Sequence, residues 1–172
     1  MTWNEPGPSP VQFKIRDIEP SDLNEVLALN NAAVPHVNAL PLEELDRFRS
    51  VAAYFRVAQA DTPVLGFLVA FLPGADYGSE NYQWFLAGYD DFIYIDRIVV
   101  APTAAGQGIA KALYRDLASA LTGKATAMTC EVNIRPPNTP SIEMHRRLGF
   151  VEIGQREADG EAKLVSLLRR EF

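Results

Sequence analysis

The sequence predicts an α+β domain built on one mixed sheet, and three observations carry that expectation. Two strand-like runs, 54–60 and 64–72, follow each other across only Asp61-Thr62-Pro63. Strand-like and helix-like segments then alternate toward the C-terminus, an order that places helices against a sheet around one core. Finally, 172 residues with 48% hydrophobic and 22% charged side chains match one soluble globular domain of about 100–200 residues, able to bury roughly two-thirds of its unfolded surface without disulfides or a metal.

The elements follow in order. Residues 1–10 carry neither a basic nor an apolar run and contain Pro6, Pro8 and Pro10, so they are expected to form a disordered leader, with 11–172 as the single domain. Val11, Phe13 and Ile15 alternate with Gln12, Lys14 and Arg16, the period of a strand with one buried face. Ser21 or Asp22 can cap a helix carrying Leu23, Val26, Leu27 and Leu29, and Pro41 to Val51 reads as a second helix, with His36 between them. Tyr54–Ala60 and Val64–Leu72 form an antiparallel hairpin over their short turn. Residues 74–91 place Tyr77, Tyr82, Trp84, Phe85 and Tyr89 among Gly, Asp, Ser and Asn, which reads as a long irregular loop and a candidate substrate lid.

Phe92–Val100 is a β-branched and aromatic run expected to be a central strand, closed by Ala101-Pro102 and the glycine turn 105–108. Ile109, Leu113, Leu117 and Leu121 then recur on one helix face, with Lys111, Arg115, Asp116 and Ser119 opposite and Gly123 as the stop. Ala127–Asn133 is the next strand. Thr139-Pro140 opens a helix that Gly149 closes, and Phe150–Arg156 and Leu164–Leu168 are the last two strands around the turn 158–161.

Charge and cysteine content exclude several classes. Sixteen basic against 22 acidic side chains leave a formal charge of −6, the wrong balance for a protein that neutralises nucleic-acid phosphates but a suitable one for cationic amines. The lone Cys130 excludes a disulfide scaffold, and the cytoplasm is the expected location. The apolar stretch 64–72 is far shorter than the ~20 residues of a membrane helix, and His36 lies in no pattern of metal-ligand spacing, so neither a membrane nor a metal partner is expected.

One junction stands out chemically. Where the strand ending at Val100 passes through Gly106 and Gly108 into the helix starting at Ile109, unpaired amides gather at the positive end of a helix dipole, an arrangement that can hold an anion. Ala110 keeps the first turn open and Lys111 adds charge. The spacing is not the dinucleotide fingerprint, and a Walker lysine followed by Ser or Thr is missing.

This segment, Arg97-Ile98-Val99-Val100-Ala101-Pro102 followed by Ala105-Gly106-Gln107-Gly108-Ile109-Ala110, resembles the Arg/Gln-x-x-Gly-x-Gly/Ala acetyl-CoA signature of the GNAT superfamily of N-acetyltransferases. Asn138-Thr-Pro-Ser141-Ile-Glu-Met-His145-Arg-Arg-Leu-Gly-Phe150 is similar to that family's Asn-x-x-Ser/Ala-x-x-x-Tyr-x-x-x-Gly-Phe segment. The resemblance implies a mostly antiparallel central sheet of about seven strands flanked by helices, and acetyl-CoA as cosubstrate. It implies that Ile98, Val99 and Val100 hold the pantetheine arm through the backbone, that Gly106, Gln107, Gly108, Ile109, Ala110 and Lys111 hold the pyrophosphate, and that Asn138 and Ser141 assist. Two positions depart: Ala105 stands where the family has Arg or Gln, and His145 stands where it has the tyrosine that protonates the CoA thiolate.

Transfer of acetyl to an amine needs a neutral amine, a polarised thioester carbonyl and a proton for the leaving thiolate. By the resemblance, a backbone N–H near Val99 or Val100 polarises the carbonyl and His145 supplies the proton. Glu131, on the neighbouring strand, and Asp96, within an apolar run, are rival bases; Arg97 is a poor same-face partner for Asp96 because adjacent strand residues point to opposite sides. Tyr82 and Trp84 of the expected lid, with Asp76, Glu80, Asp90 and Asp91 nearby, suit a cationic amine. The acceptor is a primary amine of a small molecule, amino acid or peptide, and a homodimer is compatible with the family. The alternative is a CoA-binding sensor or interaction module of the same fold without turnover.

Overall fold

The computed structural model describes residues 11–172, so the expected leader, 1–10, lies outside the described residues. Seven strands, β1 (Lys14–Asp17), β2 (Tyr54–Gln59), β3 (Val64–Phe71), β4 (Ile93–Val100), β5 (Ala127–Arg135), β6 (Val151–Ala158) and β7 (Lys163–Glu171), form one sheet. The order is β1-β2-β3-β4-β5-β7-β6. Every neighbouring pair is antiparallel except β4 with β5. Five helices accompany it: α1 (Leu23–Ala32), α2 (Leu42–Val51), α3 (Glu80–Gly88), α4 (Ile109–Ala120) and α5 (Thr139–Arg147). Among the described residues no helix is long and apolar enough to cross a membrane.

β3 is buried at every position, as an uninterrupted apolar run must be when both faces of its sheet are covered. On one face, Leu65, Leu68, Ile93, Ile95, Met128 and Cys130 pack against the Ile109, Leu113 and Leu117 row of α4. On the other, Phe67, Val69, Phe71 and Tyr94 meet Val26 of α1, Leu45 and Phe48 of α2 and Phe85 of α3. The sheet thus carries two hydrophobic cores, one per face.

Two features of β4 decide where a cleft can open. Its parallel pairing with β5 runs only from Ile93, Tyr94 and Ile95 to Met128, Thr129 and Cys130, after which both strands continue unpaired to each other. Just there, Ala70 pairs with Ile95 and Val69 with Arg97, so Asp96 is an extra residue, a β-bulge. The bulge shifts the alternation by one: Phe92, Tyr94 and Val99 share the α1–α3 face, while Ile93, Ile95, Ile98 and Val100 share the α4 face. The expectation that Arg97 is a poor same-face partner for Asp96 is thereby corrected. Arg97 Nε donates to Asp96 Oδ2 at 2.6 Å, because the extra residue returns both side chains to one face.

The segment 74–91 is likewise not a structureless loop, since α3 occupies Glu80–Gly88. Ser79 Oγ accepts the Tyr82 amide as its cap, and Tyr82 and Phe85, three residues apart, are the buried face. Tyr82 has no exposed surface and its hydroxyl donates to the Leu72 carbonyl at 2.7 Å. It is therefore a core residue and not part of a lid. Trp84 packs edge-on against Phe85 and over Gly154 of β6.

Gly66 of β3 lies opposite Val100, and a Cβ there would stand 2.7 Å from the Val99 carbonyl oxygen and 3.3 Å from Val100 Cα. Both obstacles are backbone. Gly66→Ala is expected to destabilise the fold by about 1–3 kcal/mol, as overpacking does, seen as a lower urea midpoint with an unchanged slope.

Candidate active site

Where β4 and β5 part, a cleft of about 660 Å³ passes through the sheet. Its walls are the free edges of the two strands. Ala101 N–H donates to Leu65 O at 2.8 Å across the β3 pairing; by the alternation of an antiparallel ladder, Ile98 and Val100 turn their amides the other way, toward the cleft.

On the α4 face, the chain leaves β4 through a short 3-10 helix, Pro102–Ala104, and enters α4 at Gly108. Gly106 and Gly108 adopt φ of 76° and 80°, the left-handed region that favours glycine. Gly108 is the N-cap without a side-chain cap, so the first-turn amides of Ile109, Ala110 and Lys111 have no intrahelical acceptor. Gly106, Gly108, Ile109, Ala110 and Lys111 all line the cleft. Gln107 does not: its side chain turns back to the Thr103 carbonyl, 3.5 Å away. Free amides, a helix N-terminus and the absence of side chains at the two glycines fit a pyrophosphate.

From the β5 side come Asn138 and Ser141. Asn138 Oδ1 accepts the Ser141 amide at 3.4 Å, capping α5. His145, 2% exposed, also lines the cleft. Its Nδ1 lies 2.7 Å from the Ser141 carbonyl oxygen, which can only accept, so Nδ1 carries the hydrogen. Nε2 is 2.6 Å from the hydroxyl of Tyr114, on α4. Burial holds this imidazole below the ordinary histidine value.

On the opposite face the two carboxylates differ. Asp96 binds Arg97 and accepts the Tyr77 hydroxyl at 2.5 Å. Arg97 is itself held by Asn30 Oδ1 at 2.8 Å and lies over the Phe48 ring. Glu131 has no salt bridge among the described residues and accepts from Tyr94, whose hydroxyl sits 3.0 and 2.9 Å from its two oxygens. Burial first, and then the Asp96 charge, push the Glu131 carboxyl up to about 8. His36, Asn38 and Asn81 complete this mouth, with Asp159 and Lys163 on the rim.

The structure thus gathers Asp96, Ile98, Val99, Val100, Gly106, Gly108, Ile109, Ala110, Lys111, Glu131, Asn138, Ser141 and His145 around one cleft and leaves Gln107, Tyr82 and Trp84 outside it. Sequence reading missed Tyr94 and Tyr114. Each is a tyrosine one position from an apolar row, the signal that a hydroxyl is carried to the end of a buried ring.

A model of the acetyltransferase (GNAT) family matches residues 23–150. The chain belongs to that family. It is 25% identical over 153 residues to an N-alpha-acetyltransferase of Sulfurisphaera tokodaii, covering 87% of this chain and 89% of the relative. Its fold is similar to Ard1 from Thermoplasma volcanium, with a TM-score of 0.75 at 15% identity over 92% of this chain and 97% of the other. It is also similar to yncA, a putative acetyltransferase from Salmonella typhimurium solved with its cofactor acetyl-CoA, with a TM-score of 0.69 at 16% identity over 93% and 94%. The protein is an N-acetyltransferase with the GNAT fold.

The raised carboxyl of Glu131 sets a pH dependence of stability in this GNAT protein. The folded form holds a proton that the unfolded chain releases above its ordinary value of 4.5, so stability falls as pH rises toward about 8 and stays reduced beyond it. Glu131→Gln removes the penalty. Its gain in stability over the parent is expected to be small at pH 5 and roughly 1–3 kcal/mol at pH 9, read from urea titrations at both values; a gain that does not grow with pH contradicts the raised carboxyl.

Proposed function

We propose that the protein acetylates the α-amino group of a peptide or protein N-terminus, with acetyl-CoA as donor, by direct attack in a ternary complex. The observation that carries this reading is the cleft itself, which joins a phosphate-fitting turn on one face of the sheet to a buried carboxyl, held by the Tyr94 hydroxyl, on the other. The relative named as an N-alpha-acetyltransferase supports a peptide acceptor.

In this reading the amides at Gly106 to Lys111 take the CoA phosphates, and the Ile98 and Val100 backbone takes the pantetheine arm. The Val100 N–H, pointed into the cleft, polarises the thioester carbonyl and stabilises the oxyanion that forms on attack. Glu131 is the base. Asp96 is committed to Arg97 and Tyr77, whereas Glu131 has a hydroxyl partner and no cation, and a carboxyl near 8 matches the protonated α-amine it must deprotonate. Asn38 and Asn81 line the acceptor side of the cleft, their side-chain oxygens held by Lys163 and Arg156.

Thiol release from acetyl-CoA in the presence of short peptides tests this. Peptides with a free N-terminus are expected to turn over and their N-terminally blocked forms to be inert, while Glu131→Gln lowers kcat by about 10²-fold or more. Equal turnover of lysine side chains in blocked peptides would overturn the acceptor. Tight CoA binding without turnover of any amine would instead favour a CoA-binding module.

A further inference from the structure

We propose that Tyr114, on α4, protonates the departing CoA thiolate, and that His145 is its positioning residue. The proposal rests on the acetyl-transfer reading above and assigns the acid that reading leaves open.

The two faces of the sheet divide the labour. Glu131 and Tyr94 lie with the α1–α3 core, whereas the phosphate-fitting turn and the side chains of Tyr114, His145 and Cys130 lie with α4 and α5. A CoA whose phosphates sit at Gly106 to Lys111 brings its sulfur down the α4 side, so the proton must come from that side.

His145 cannot supply it directly. Its one hydrogen is on Nδ1 and is given to the Ser141 carbonyl at 2.7 Å, leaving Nε2 as a lone pair aimed at the Tyr114 hydroxyl 2.6 Å away. The hydrogen facing that contact is therefore the phenol's. With Nδ1 anchored to α5 and the ring packed edge-on to both Tyr114 and Phe150, the imidazole is held in orientation and fixes Tyr114 Oη at the cleft wall. Cys130 offers only a thiol, an acid of the same kind as the CoA thiol, with no gain on transfer, and the Ser141 hydroxyl is far weaker than a phenol. Burial raises the phenol of Tyr114; a thiolate released at the same depth is destabilised by the same desolvation, so the pair stays matched.

The step balances. As the tetrahedral carbon collapses, its C–S bond breaks and the electron pair stays on sulfur. The Tyr114 O–H hydrogen turns from Nε2 to that sulfur and is transferred, giving CoA thiol. The phenolate, opposed by the Nε2 lone pair, is reprotonated by water at the cleft mouth, while the proton that Glu131 took from the amine returns to water. Amine and acetyl-CoA become amide and thiol.

The test is turnover of Tyr114→Phe with acetyl-CoA and a free-N-terminus peptide. Expected are a kcat about 10²-fold lower and a KM for acetyl-CoA within about threefold of the parent. The loss should vanish when 4-nitrophenyl acetate is the acetyl donor, because 4-nitrophenolate departs without a proton. His145→Gln, which keeps an acceptor for the hydroxyl, should recover most of what His145→Phe loses. Parent-like kcat in Tyr114→Phe, or an equal loss with both donors, overturns the assignment to Tyr114. No thiol release by the unsubstituted protein with any α-amine overturns the acetyl-transfer reading and this one with it.

Discussion

The parting of β4 and β5 is the constraint on which the rest of the structure depends. Two adjacent strands in the middle of a sheet share three residue pairs and then separate, leaving backbone N–H and C=O groups on two facing edges without a ladder partner. Buried backbone polar groups must find partners, so an edge of this kind is stable only if it opens to water or is filled by a molecule that can hydrogen-bond along it. The extended pantetheine arm of CoA, with its two amides, is such a molecule. Opening the sheet also removes the barrier between its faces, so that in the proposed reading a donor on the α4 side and an acceptor entering from the α1–α3 side can meet.

Keeping the strands apart requires that the residues around the opening be held firmly, and the polar groups there are arranged to do so. Asp96, made available by the bulge, forms a nearly buried pair with Arg97, and Asn30, Tyr77 and the Asn38 carbonyl complete the shell. Removing one partner of such a pair leaves an uncompensated charge, a loss of about 3–5 kcal/mol, so the network ties α1 and the 30s loop to the free end of β4. It also sorts the two acids. The Asp96 carboxylate is occupied by the Arg97 guanidinium and the Tyr77 hydroxyl, while Glu131, one strand away with a phenol for company, is left able to gain and lose a proton near neutral pH.

How far the sequence reveals this depends on whether a residue's neighbours are local or distant. The strand-turn-helix unit around Gly106 and Gly108 is legible because its chemistry lies in consecutive backbone amides and in glycines that need positive φ. The seven strands are legible from period and run length, although β7 extends from Lys163 to Glu171, beyond the expected 164–168, since pairing with β5, out to Ala127 opposite Glu171, holds its charged end in register. Helix α3 was hidden by its Gly, Asp and Asn surroundings; what makes it a helix is the burial of Tyr82 and Phe85 against Phe92 and Tyr94, a tertiary effect that overrides local propensity. The meeting of Asp96 with Arg97 turns on a bulge, and a strict two-residue alternation cannot contain one. Tyr114 and His145 are 31 residues apart and on different helices, so only the packing of α4 beside α5 brings them together.

The proposed binding mode also reconciles an acidic protein with an anionic donor. A formal charge of −6 opposes polyphosphate binding only if side-chain cations must do the work. In the proposed binding mode the groups facing the phosphates are the first-turn amides of α4 with Lys111 beside them, and a helix N-terminus presents about half a positive charge irrespective of the protein's net charge. Ala105 then becomes intelligible: the cradle is built from backbone, which no side chain at that position needs to complete. In the proposed reading, burial of Glu131 gives an arriving cationic amine a carboxyl that accepts its proton instead of holding it as a permanent ion pair.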